Sequence, residues 1–244
     1  MNHIIIRETC YNMRKGAREA LRGRWTEAVK ATLIFAAVAV LPTIIIDSIF
    51  DKDFARILVF LYSLAVSGPI SLGYTSFMLK IIRNENVDPS EVLSGFERYG
   101  TAIVLYAVMS IFIFLWALLF IIPGIIAMYR YRLAFMVLCD NPHIGSFEAI
   151  NESKRLMSGN KGKLFLLDLT FIGWMILAAM TFGIGYLALY PYMIAASVIF
   201  YEIANGNLQP KVSDITYGQY ISEHPEPADN ENSGRGDAEK SAED

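Results

Sequence analysis

The sequence predicts an all-α integral membrane protein of six transmembrane helices arranged as three hairpins. Three observations carry that prediction. Of the 244 residues, 54% are hydrophobic and only 18% charged, with a mean hydropathy of +0.38, against about 25% charged in soluble domains. The charge is also unevenly placed. Residues 57–79 and 99–129 carry none, and between 164 and 201 the only charge is Asp168. Apolar runs of about 20 residues match the ~30 Å of hydrocarbon that a helix must cross.

The expected spans run from Glu27 to Ile46, Ile57 to Leu79, Thr101 to Ile122, Pro123 to Cys139, Leu164 to Phe182 and Tyr186 to Tyr201. The stretch "LLFIIPGIIAMYRYRLAFMVLCD" (118–140) decides between five and six, because it reads either as one crossing or as a turn at Pro123-Gly124. Basic loops favour the cytoplasmic side. Residues 1–30 hold seven Lys/Arg, and 140–163 hold Lys154, Arg155, Lys161 and Lys163. A turn at Pro123-Gly124 puts both segments on one side with both termini cytoplasmic; a single crossing does not. Proline suits the first turn of a helix and glycine a sharp bend.

Three parts are expected: a basic amphipathic segment (1–26), the six-span body (27–205) and an acidic tail (206–244). From Glu202 onward the chain has ten acids and three bases. The tail is polar enough to be disordered. In the first segment Arg14, Lys15, Arg18, Arg22 and Arg24 accompany an apolar side of Met13, Ala17, Ala20 and Leu21. Such a helix is expected to lie on an anionic inner leaflet and contact lipid headgroups. The segment is too short, and too close to a span, for a nucleic-acid domain. The apolar run from Ala31 to Ile46 is too long for a signal-peptide core, so an uncleaved first span is expected.

Three entries to spans read alike: "REALRGRWTEAVKATLI" (18–34), "SEVLSGFERYGTAIVLY" (90–106) and "SKRLMSGNKGKLFLLDL" (153–169). Each places a glycine (Gly23, Gly95, Gly159) before the apolar run. The second span of each hairpin contains a proline (Pro69, Pro123, Pro191) and is followed by an asparagine (Asn84, Asn141, Asn205). The pattern suggests a threefold internal repeat.

The stretches "LRGRW", "LLFIIPGIIAMYRY", "NESKRLMSGNKGKLFLLDLTFIGW" and "GIGYLALYPY" resemble the domain-of-unknown-function family 975. These are bacterial multi-pass membrane proteins to which no reaction is assigned. The resemblance covers roughly residues 14 to 205. It implies a cytoplasmic membrane location and supplies no catalytic residues.

The residues themselves offer an intramembrane polar network and a packing stripe. Arg130 and Arg132 fall inside the fourth span, where an unpaired charge costs about 2.5–3.5 kcal/mol. Asp168 is the one acid in the interior of a span, at a depth an arginine can reach, so an Arg132–Asp168 pair is expected. Such a pair serves either a solute path or helix packing. Ser63, Ser67, Ser71 and Thr75 recur every four residues along the second span, a spacing that lets helices approach closely. Tyr190 and Tyr192 suit the membrane interface. His3, His143 and His224 are scattered, and Cys10 and Cys139 form no metal-ligand spacing, so neither a metal, a cofactor nor an enzyme is expected. The partners expected are the lipid bilayer and other membrane proteins or a second copy of the chain. The alternative function is a small-solute transporter or channel.

Overall fold

The computed structural model describes residues 4–208, and all regular structure among them is helical. A short helix α1 (Cys10–Leu21) precedes α2 (Trp25–Ile49) and α3 (Lys52–Ile82). A 3₁₀ helix (Pro89–Arg98) leads into α4 (Tyr99–Leu119), followed by α5 (Ile121–Tyr131) and α6 (Ala134–Asp140). Then come α7 (Ser146–Leu156), α8 (Lys161–Leu169), α9 (Ile172–Met180) and α10 (Tyr186–Asn205). Six helical stretches are long and apolar enough to cross a membrane: α2, α3, the 3₁₀ helix with α4, α5 with α6, α8 with α9, and α10. The acidic tail lies outside the described residues, apart from its first three positions.

The second member of each hairpin is the more buried one. In α10 72% of the most apolar stretch is buried, and in α5–α6 half; in α2 and α4 the share is 11%. α3, α5–α6 and α10 therefore form the centre, and α2, α4 and α8–α9 turn their apolar side chains outward. Leu41, Ile45, Phe114 and Leu118 are among those exposed. Helices satisfy their own backbone hydrogen bonds, as a membrane crossing requires.

Glycine sets the closest packing. A methyl group on Gly73 would run into the Val92 carbonyl, and one on Gly95 into the Pro69 carbonyl. The 3₁₀ helix therefore lies backbone to backbone against α3. Gly95 sits inside that helix. Gly23, between α1 and α2, and Gly159, between α7 and α8, by contrast adopt left-handed φ values of 83° and 72°, a conformation glycine takes without strain.

Two expectations are corrected here. The hairpin between α4 and α5 turns at Phe120 (φ −158°, ψ 149°), not at Pro123-Gly124. Pro123 is the third residue of α5, where a missing N–H is tolerated. Gly124 is buried against the Ala117 backbone, so its role is close approach. Secondly, the apolar side of α1 faces protein. Met13, Ala17 and Leu21 are buried, and Gly16 packs on Ile199 of α10. That side is thus occupied by α10 and does not enter lipid.

Candidate functional site

The most heavily charged cluster joins the ends of the three central helices. Arg83 caps α3, Asp140 ends α6 and Glu202 lies in the last turn of α10. Arg83 Nη2 lies 2.7 Å from both Asp140 Oδ1 and Glu202 Oε1. Its Nε donates to Glu202 Oε1 at 2.9 Å. Tyr201 Oη donates to Asp140 Oδ2 at 2.7 Å. The Glu202 side chain is only 3% exposed. The bond to Asp140, and after it the charge of Glu202, push the guanidinium pKa above its already high ordinary value, against the opposing effect of burial. Arg83 is thus a fixed cation between two carboxylates, and its planar fork suits that double contact.

Arginines also cap the neighbouring helix ends. Arg24 donates to the Glu85 carbonyl at 2.7 Å, just beyond α3. Arg98 donates to the carbonyls of Leu138 and Pro142, at 2.7 and 2.8 Å, around the end of α6. A cation at a helix C-terminus satisfies free carbonyls and opposes the helix dipole.

A second charged contact lies deeper. Arg132 Nη1 is 3.5 Å from Asp168 Oδ2, and Tyr129 Oη donates to the same oxygen at 3.0 Å. Both helices break beside it. α5 ends at Tyr131 and α6 begins at Ala134; α8 ends at Leu169 and α9 begins at Ile172. Arg130 is not brought to this pair. Its side chain is exposed, and its backbone carbonyl accepts from Ser153 Oγ at 3.0 Å.

Ser63, Ser67, Ser71 and Thr75 are all half-buried. Thr75 Oγ1 is turned back onto the Ser71 carbonyl at 2.7 Å. The tightest contacts of α3 lie outside that stripe, with Gly68 against the Ala102 carbonyl and Gly73 against Val92. Ser63 opens instead onto a concave surface shared with Thr43, Asp47 and Arg56 near the α2–α3 turn.

The basic residues of the first segment divide in two. Lys15, Arg18 and Arg22 are exposed. Arg14 and Arg24 are half-buried and bound to protein. The Arg14 guanidinium stands 5.2 Å from the centre of the Phe171 ring and 3.5 Å from Tyr192 Oη. Tyr190 and Tyr192 are likewise internal: Tyr190 packs 5.2 Å from Tyr74 and 5.5 Å from Phe35, and Tyr192 Oη donates to the Arg14 carbonyl.

The Arg83 cluster is what sequence reading missed. Glu202 falls in with the acidic tail when charge is counted by segment. A usable signal was present: each central helix carries an ionisable residue close before its asparagine, namely Arg83 before Asn84, Asp140 before Asn141, and Glu202 before Asn205.

Fold and site together define a helical protein with six membrane-compatible helices, its charged groups paired at helix ends and breaks. Comparison with protein families makes this more particular. The model of a protein family of unknown function, DUF975, matches residues 8–134 and 118–207, and the chain belongs to that family. No curated protein and no solved structure matches it.

Proposed function

We propose that the chain is a non-enzymatic integral protein of a bacterial cytoplasmic membrane that works by binding other membrane components. The observation that carries this reading is the pairing of its charges. Arg83 is engaged by Asp140 and Glu202, and Arg132 by Asp168. Among the described residues every buried side-chain nitrogen and oxygen has a hydrogen-bond partner. Groups bound to one another fasten helices; they are not held open for a substrate.

Three finer statements belong to the same reading. The chain is a threefold repeat of a short helix followed by two long ones, with the second unit departing at its 3₁₀ helix. Both termini are cytoplasmic: the basic residues of segments 1–24, 80–98 and 154–163 then share one side, with Lys52 and Arg56 the bases at the opposite turns. Lys15, Arg18 and Arg22 face anionic headgroups, each contributing about 1 kcal/mol.

One observation favours transport instead. The helices bearing Arg132 and Asp168 are both interrupted beside the pair, as helices at transporter sites often are. Native mass spectrometry of the full chain extracted with its own lipids separates the two readings. A reproducible protein or lipid adduct that survives Arg132→Ala supports the interaction reading. A bound small solute lost in that variant overturns it in favour of transport.

A further inference from the structure

Each hairpin is entered through a joint, and the third joint is fastened differently from the first two. In each, one residue stands immediately before the first long helix: Arg24 before α2, Arg98 before α4 and Asn160 before α8. Their backbones match, with φ −120°, −110° and −100° and ψ 10°, 41° and −7°, and none of the three side chains caps the helix it precedes. Arg24 and Arg98 reach instead to the end of the second long helix of their own hairpin. Arg24 donates to the Glu85 carbonyl beyond α3, and Arg98 to the Leu138 and Pro142 carbonyls around the end of α6. Each arginine thus ties the entry of one helix to the exit of another.

Asparagine is much shorter than arginine, and Asn160 holds a different partner. It is 1% exposed. Its Oδ1 accepts from Ile6 N at 2.9 Å, and its Nδ2 donates to the Ile4 carbonyl at 2.8 Å. Nδ2 also donates to the Leu156 carbonyl, at the end of α7, at 2.9 Å. One amide group, donor and acceptor at once, therefore meets both polar groups along one edge of the N-terminal segment. Ile6 is buried and Ile5 is exposed. Ile4 in turn reaches the exit of α10. A methyl group on Gly206, the first residue beyond that helix, would stand 3.1 Å from Ile4 Cδ1. The third tie thus runs from Asn160 through residues 4–6 to the end of α10.

We infer that the α7–α8 joint is a binding slot for an extended peptide segment, filled by residues 4–6 of the same chain, and that this segment is a removable tie for the third hairpin. Main-chain bonds hold the segment, and the buried side chain of Ile6 fixes its register, as in other slots for extended peptides. Arg24 and Arg98 are covalent parts of the joints they fasten. The third joint, by contrast, loses its tie when residues 4–6 leave. Gly159 and Gly162 lie on either side of Asn160, and glycine leaves a vacated joint free to move. An empty slot also strands two partners of a buried amide, which favours refilling. The third hairpin is therefore fastened or loosened through the N-terminal segment, with no change at the first two joints. The likeness of the joints rests on the threefold repeat of the proposed function; the slot rests on the bonds of Asn160.

Hydrogen exchange of the full chain in lipid nanodiscs, read by mass spectrometry, tests it. The Ile6 amide should exchange about tenfold or more slowly than in a free peptide of the same N-terminal sequence. Asn160→Ala should bring it to the free rate and speed exchange across 157–163 by about tenfold, leaving 22–26 and 96–100 unchanged. Exchange at the free rate in the parent, or an unchanged 157–163 joint once the segment is released, overturns the inference. Ile6→Asp releases the same segment without altering any helix, and gives the same answer if the Asn160 variant fails to fold. Asn160→Arg separates the slot from the repeat. It should free the Ile6 amide yet keep 157–163 slow, because arginine there reaches the end of α10 as Arg24 and Arg98 reach theirs. A joint as fast as in Asn160→Ala would overturn the likeness of the three joints, and with it the threefold repeat, while the slot is judged by the parent and by Ile6→Asp.

Discussion

Arg83 and Glu202 are 119 residues apart in the chain, yet Nε of one lies 2.9 Å from Oε1 of the other. The contact joins the end of the second long helix to the end of the last, and Asp140 brings in the fourth. Helices in lipid gain little from apolar burial against each other, because acyl chains are equally apolar. A charged tie at the wet end, where desolvation is incomplete, is thus a favourable way to fix their relative position.

Removing the cation should cost more than removing the whole cluster. Arg83→Met leaves two carboxylates facing each other, one of them almost fully buried. Breaking a buried pair costs about 3–5 kcal/mol, and the 34% exposure of Arg83 reduces the expectation to about 2 kcal/mol. Arg83→Met/Asp140→Asn/Glu202→Gln should be closer to the parent. Melting in detergent, followed by a thiol dye reacting with Cys139 in a Cys10→Ser chain, reads both. A triple variant less stable than Arg83→Met would reverse the argument.

The Arg132–Asp168 contact should behave as a coupled pair. Asp168→Asn removes the charge opposite Arg132 and weakens the acceptor for Tyr129. Residues in such contact show coupling of about 0.5–3 kcal/mol. The double variant Arg132→Gln/Asp168→Asn should therefore be less destabilised than the sum of the single ones. Strict additivity in the melts would mean that the 3.5 Å approach contributes nothing.

How far the chain could be read in advance depended on which force wrote each feature. Long apolar runs are dictated by hydrocarbon thickness, and all six appear as helices. Helix ends were less legible. Pro123-Gly124 has turn chemistry, but proline also fits a first helical turn and glycine also permits close packing, and the fold uses both of those alternatives. The breaks at Arg132–Leu133 and Thr170–Phe171 contain neither proline nor glycine, so no local signal marks them. Arg132 and Asp168 were identifiable because each is a charge inside an apolar run. Glu202 was not, because it borders a polar segment and its burial comes from Arg83, far away in sequence. Ser63 to Thr75 has the spacing of a packing stripe, yet the tighter contacts belong to Gly68 and Gly73, which lie outside it.

Those glycines make a sharp comparison. Gly73→Ala drives a methyl group into the Val92 carbonyl, and backbone cannot move as a flexible side chain can. Overpacking of this kind costs about 1–3 kcal/mol or more, and folded yield from membranes should drop. Gly100→Ala meets open space and, sitting in the first turn of α4, should leave the melting temperature unchanged or slightly raised. Equal tolerance of both would show that the 3₁₀ helix does not pack backbone to backbone on α3.

Topology gives the last prediction, and it follows from the turn at Phe120. If α4 and α5 are separate crossings, the α7–α8 connection shares the side of the N-terminus. Ser158 is exposed in that connection, between Lys154, Arg155, Lys161 and Lys163. Asp51, at the α2–α3 turn, lies on the opposite side. In a Cys10→Ser/Cys139→Ser chain, an impermeant maleimide applied to spheroplasts should label Asp51→Cys at once and Ser158→Cys only after the membrane is opened. Immediate labelling of both would put the α7–α8 connection outside. The four basic residues there would then stand against the charge asymmetry that orients membrane helices, and α4 to α6 would have to cross only once.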